Sequence, residues 1–118
     1  MAQALAQKRL GSRAVVESAG VDAADGLRPT HDAVAVMANL GLDITTHRSR
    51  DIEALDLESY DLVVALAPSI ANRIRQRHSP PGERLREFNV PDPYGKGITA
   101  YTTCVANLND ILDELFPK

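Results

Sequence analysis

The stretch Val90-Pro91-Asp92-Pro93-Tyr94-Gly95 holds one carboxylate between two prolines and follows it with an aromatic ring and a glycine. Proline fixes φ and restricts the residue before it, so Asp92 is braced from both sides in an extended turn that cannot continue as helix. A carboxylic acid pinned at a loop tip can hand a proton to a leaving oxygen when its pKa lies near the working pH. The same six residues are also ordinary turn chemistry. Taken alone the motif leaves both readings open, and its context must decide.

The chain has one other side chain suited to covalent chemistry, the single cysteine Cys104. It falls in an apolar stripe made by Ile98, Tyr101, Val105, Leu108, Leu112 and Leu115, which reads as a packed helix face and makes Cys104 a small core residue. One cysteine excludes an internal disulfide. The short basic runs, His47-Arg48-Ser49-Arg50 and Arg73 to Arg77, read as solvated faces, and no cluster suggests a metal or cofactor. With a net charge of −3, nothing points to nucleic acid or an anionic membrane surface. No apolar run reaches the length of a membrane span or a signal-peptide core, which points to a cytoplasmic protein.

Positioning Asp92 falls to a chain of 118 residues, enough for one domain with a real core. Helical and strand-like segments alternate, which argues for an α/β layer structure. Met1 to Leu10 reads as helix stopped by Gly11, with no cap residue to serve its first N–H groups. Ala14 to Glu17 is a short β-rich run closed by Ser18-Ala19-Gly20. Pro29-Thr30 opens a second helix through Ala33, Val36, Met37 and Leu40, with Thr30 as its cap and Gly41 as its end. Asp51 caps a short helical segment to about Ser59. Leu62 to Leu66 is a nearly all-apolar buried strand, of the kind parallel sheets use. Pro68-Ser69 begins a third helix to about Arg77, a polar break runs from His78 to Gly82, and Leu85 to Val90 is a weaker strand that delivers Asp92 to its carboxyl end. The last helix spans Ile98 to Phe116.

In this order the motifs resemble the low-molecular-weight protein tyrosine phosphatases and their relatives, the thioredoxin-coupled arsenate reductases. Met1-Ala2-Gln3-Ala4-Leu5 is similar to the start of the family's first helix, and Glu17-Ser18-Ala19-Gly20 to the Ser-Ala-Gly after its second strand. Gly41-Leu42-Asp43 with His47-Arg48-Ser49-Arg50 resembles its Gly-Ile-Asp…His-x-x-Arg segment. Tyr60 to Leu66 matches the strand that follows, and Val90 to Gly95 the acid loop. The resemblance implies a three-layer, flavodoxin-like parallel sheet with helices on both faces. It implies Asp92 as the general acid that protonates a leaving phenolic oxygen, Tyr94 as an aromatic wall of the cleft, and Ser18 and His47 as supports of a phosphate loop. It implies hydrolysis of phosphotyrosine or aryl phosphate, no cofactor, and a phosphoprotein as partner. In the Asp22 to Gly26 region, where the family often has a second aromatic gate, this chain has small residues.

In that family a first, central strand ends in Cys-x-x-x-x-x-Arg-Ser-Pro, and the helix corresponding to Met1–Leu10 follows at once. Its thiolate attacks phosphorus while backbone N–H groups and the arginine hold the oxygens. Here Met1 stands where the helix starts, and Cys104 is followed six residues on by Asp110 rather than Arg. The expectation is one domain over 1–118, truncated at its N-terminus relative to the family and inactive by itself. Without the strand, Ala14–Glu17 must pair directly with Leu62–Leu66, or the sheet must borrow a strand or surface from a partner molecule, or the starting Met was set too late and an upstream segment carries the Cys-x-x-x-x-x-Arg loop. A non-catalytic module that binds a partner or its own copy through exposed sheet edges is the alternative. Arsenate reduction would need further cysteines to form and pass on a disulfide.

Overall fold

A computed structural model describes residues 1–21, 24–78 and 82–117. Among the described residues four α-helices and two short strands alternate: α1 Ala2–Leu10, α2 His31–Asn39, β1 Val63–Ala65, α3 Pro68–Arg77, β2 Leu85–Glu87 and α4 Ile98–Leu115. The strands pair in parallel, Val63 opposite Leu85, Val64 opposite Arg86 and Ala65 opposite Glu87. The chain is thus an α/β structure, as the alternation of segments suggests.

Local chemistry accounts for most boundaries. At the start of α2 the Thr30 hydroxyl accepts the Ala33 N–H at 3.2 Å and donates to the Tyr101 hydroxyl at 2.9 Å, so one side chain caps a helix and fastens it to α4. Gly11 ends α1 with φ 58°, a conformation open to glycine, while Lys8 and Arg9 complement the negative end of the helix dipole. Arg9 also reaches Asp113 and the Phe116 carbonyl, tying α1 to the far end of α4. Between α2 and β1 the expected single helical segment is two separate 3₁₀ turns, Ile52–Ala54 and Leu57–Ser59, capped by the carboxylates of Asp51 and Asp56. Each aspartate carboxylate takes an N–H two residues on, which favours tight turns over continued helix.

The core lies in two clusters on opposite sides of the strands. Leu5, Val36, Met37, Ile44, Tyr101, Cys104, Val105, Leu108 and Leu112 join α1, α2 and α4, with Leu66 and Val90 packed against them. Ile52, Leu57, Ala65, Ala71, Ile74 and Leu85 join the 3₁₀ turns and α3 to the strands. Helices therefore cover both faces. Ile98 departs from the expected stripe: it sits at the first position of α4 and is 48 % exposed.

The expected strand Ala14–Glu17 is corrected to an extended segment outside any ladder. Among the described residues no backbone hydrogen bond joins it to Leu62–Leu66, so direct closure of the sheet does not occur. Side chains of α1 hold it instead. The Gln7 amide donates to the Ala14 carbonyl at 2.9 Å and accepts the Val16 N–H at 3.1 Å, and Gln3 accepts the Ser18 hydroxyl at 2.6 Å. A carboxamide offers one donor and one acceptor side by side, the pattern a neighbouring strand would present.

Candidate functional site

The acid loop leaves β2 along the end of β1. Phe88 N–H donates to the Ala65 carbonyl at 2.9 Å and Val90 N–H to the Leu66 carbonyl at 2.8 Å, so the loop's root is fixed although its tip is exposed. At the tip, the Tyr94 N–H donates to Asp92 Oδ1 at 3.0 Å and the Lys96 N–H to the Pro93 carbonyl at 3.0 Å. Asp92 thus closes an Asx turn with its own loop, and its second carboxylate oxygen is left for other work. Gly95 and Gly97 take φ values of 74° and 89°, which let the chain reverse into α4 within a few residues.

A cleft of about 350 Å³ separates this loop from one face of α4. Pro91, Asp92 and Pro93 form one side, and Thr99, Thr103, Cys104 and Asn107 the other. Tyr94 is 72 % exposed and does not line that cleft. Cys104 is buried, and burial pushes its thiol above the ordinary range; the Met1 amino group opposes that shift and the Asp92 carboxylate adds to it.

Met1, at the start of α1, feels Cys104, and burial pulls its amino group below the usual range. His47 is also pulled down, first by burial, then by the Met1 amino group, Arg50 and Arg48. Ser18 is held two residues into α1 by Gln3. Ser18 is thus tied to the first turn of α1, whose N-terminus has no side-chain cap, while Asp92 faces Cys104 across the cleft against α4. An uncapped helix start offers N–H groups and a positive dipole end, a setting for an anion.

Further side chains complete the surround. Arg50 donates from Nε to the Ser18 carbonyl at 2.9 Å and lies 3.7 Å from the Glu17 carboxylate, which also takes the Tyr60 hydroxyl. That contact raises the Tyr60 phenol above its usual range. Gly20 pairs with Asp51 in a parallel bridge, and Ser49 stitches the Ala24–Leu27 stretch in place through the Leu27 N–H and the Ala24 carbonyl. The Glu17, Arg50 and Tyr60 side chains carry no local signal of pairing across 33 and more residues. Of the small-residue stretch that stands where an aromatic gate was sought, Asp22 and Ala23 lie outside the described residues, as do Ser79 to Pro81 of the polar break. Among the described residues no group of His, Cys, Asp and Glu has the makings of a metal site.

The model for the low molecular weight phosphotyrosine protein phosphatase family matches residues 1–118. The chain is similar to a probable low molecular weight protein-tyrosine-phosphatase of Ralstonia solanacearum, 32 % identical over 124 residues that span 100 % of this chain and 85 % of the relative. It is also similar to an arsenate reductase of Bacillus subtilis, 34 % identical over 93 residues, 79 % of this chain and 63 % of the relative. Among solved structures it overlays the low molecular weight protein tyrosine phosphatase from T. tengcongensis with a TM-score of 0.86 and 28 % identity, covering 97 % of this chain and 86 % of the other.

Proposed function

Since the chain belongs to the low molecular weight phosphotyrosine protein phosphatase family, we propose that Asp92 is its general acid in phosphomonoester hydrolysis, with an aryl phosphate such as phosphotyrosine as substrate. The observation that carries this reading is the placement of Asp92 at the mouth of a cleft against α4, with Ser18 tied to the uncapped first turn of α1. In such a reaction a thiolate forms a bond to phosphorus as the phosphorus–oxygen bond breaks, and the departing oxygen takes a proton from the acid. Asp92 suits the proton step because it is exposed and one of its oxygens is fixed by the Tyr94 N–H, in a loop whose root is bonded to β1. Tyr94 borders the leaving group, while Ser18 and His47 brace whatever holds the phosphate.

The thiolate is the part these 118 residues do not supply. Cys104 is the sole cysteine, and its burial in α4 favours the unreactive thiol. This polypeptide alone therefore leaves p-nitrophenyl phosphate hydrolysis at the rate of buffer. Turnover abolished by Asp92→Asn, or a phosphorylated thiol trapped by rapid quenching, would show that a nucleophile does lie within the chain.

A second reading, a binding or self-association module without catalysis, is favoured by the unladdered segment Ala14–Glu17 beside a two-stranded sheet. Light scattering that finds a monomer across a wide concentration range weighs against self-association.

A further inference from the structure

We infer that the hollow between the far ends of α1, α2 and α4 is a binding site for a small amphipathic anion, a medium-chain aliphatic monocarboxylate. This goes beyond the reading of Asp92 and does not depend on it. The hollow has a volume of about 630 Å³, within the range of small-molecule pockets. It forms where three helices end: α1 supplies Lys8 and Arg9, the chain leaving α2 supplies Leu40 and Leu42, and α4 supplies Asn109 and Leu112. The cleft beside the acid loop takes α4 from Thr99 to Asn107, nearer its start, so the two spaces lie towards opposite ends of that helix.

Its lining is divided between apolar and basic groups. Leu5 and Leu112 are buried and form an apolar base, while Leu40 is 41 % exposed and leaves an apolar wall uncovered. Leu10, Leu42 and Phe116 are half-buried and complete that surface. The charged lining is all of one sign: among the described residues it holds Lys8, Arg9 and Arg13 and no carboxylate, in a chain whose net charge is −3. Local structure sets what each cation has left to offer. Arg9 is spent on Asp113 and the Phe116 carbonyl, which ties α1 to α4. Arg13 is folded back over the end of α1 by the 3₁₀ turn Gly11–Arg13, where its Nε donates to the Leu10 carbonyl and its Nη2 to the Arg9 carbonyl, each at 3.1 Å. Those two bonds fix the plane of the guanidinium and leave Nη1 unspent among the described residues. Lys8 is exposed and makes no ion pair among them. A carboxylate has two oxygens, one for the Arg13 fork and one for the Lys8 ammonium, and an alkyl tail covers the leucines. Inorganic phosphate would leave the leucines wet, and an uncharged tail would leave the cations without a counterpart.

The test titrates the whole chain with hexanoate, octanoate and decanoate by calorimetry, below their micelle concentrations, with decanol and inorganic phosphate as controls. Binding is one to one and tightens about tenfold for each added pair of methylenes, since each buried methylene contributes a similar increment. Decanol binds about tenfold more weakly than decanoate, and phosphate does not compete with it. Lys8→Gln and Arg13→Gln, both at exposed positions and both with the circular dichroism of the parent, each weaken decanoate about threefold and together about tenfold. Amide shifts on binding fall at Leu10, Leu40 and Asn109 and spare Tyr94. Equal affinity for decanol and decanoate, or a double variant that binds as the parent does, overturns the inference. So do shifts centred on the acid loop, uptake of many molecules per chain without saturation, and a chain that doubles in mass without ligand and covers the hollow with a second copy.

Discussion

At the scale of single residues, the site depends on side chains whose charge is set by burial. His47 is the clearest case, its imidazole pulled below the ordinary value of 6.5 by desolvation, the Met1 amino group and two arginines. A base whose folded pKa is lowered binds its proton more readily in the unfolded chain, so the unfolded state gains as pH falls. The stabilisation is fully present above about pH 6.5 and is lost as pH drops through the folded value. Thermal unfolding followed by circular dichroism at a series of pH values should show Tm falling over that window, with a shallower fall in His47→Gln. An unchanged slope in the variant would place the pH dependence elsewhere. Asp92 was legible at this scale because two prolines and a glycine around an acid are a local pattern. Gln3 and Gln7 were not, because nothing in a glutamine on a polar face announces which group it will meet; Arg50 was legible as part of a motif, but its bond to the Ser18 carbonyl was not.

At the scale of elements, the sequence reading of the helices was close because caps are written into the chain. Thr30, Gly11 and Pro68 mark helix ends within a residue or two of where they occur. The 3₁₀ turns after Asp51 were less legible, since an aspartate that caps a helix and one that closes a tight turn look alike until the next few residues are placed. Ala14–Glu17 was misread for a different reason: β-branched residues favour extended backbone, but a ladder needs a neighbour, and propensity does not say whether one is present. The Thr30 bridge gives the sharpest expectation at this scale. Thr30→Val removes the cap of α2 and leaves the buried Tyr101 hydroxyl without its donor, at a cost of about 1–3 kcal/mol. Urea unfolding should show that loss in the midpoint with no change in slope; a stability within experimental error of the parent would mean the bridge contributes nothing.

At the scale of the whole molecule, a body of 37 × 35 × 24 Å carries its core in two clusters joined, among the described residues, through a two-stranded sheet. A narrow connection transmits little cooperativity, so the α1–α2–α4 cluster should hold its amides against exchange longer than β1 and α3 do. Coincident protection across both clusters would contradict that view. The α/β class was legible in the alternation of segments, and the family in motifs spread along the chain. The width of the sheet was not, being a property of what lies between segments rather than within them. The outer margin of β2 completes this picture: Arg86 stacks over Phe88 with its guanidinium 5.8 Å from the ring centre and lies 3.6 Å from Glu114, while Arg75 lies 3.1 Å from Glu87. Charges along that rim repel a passing chain. An edge dressed in this way resists pairing with a second sheet, so β2 offers poor ground for the growth of filaments.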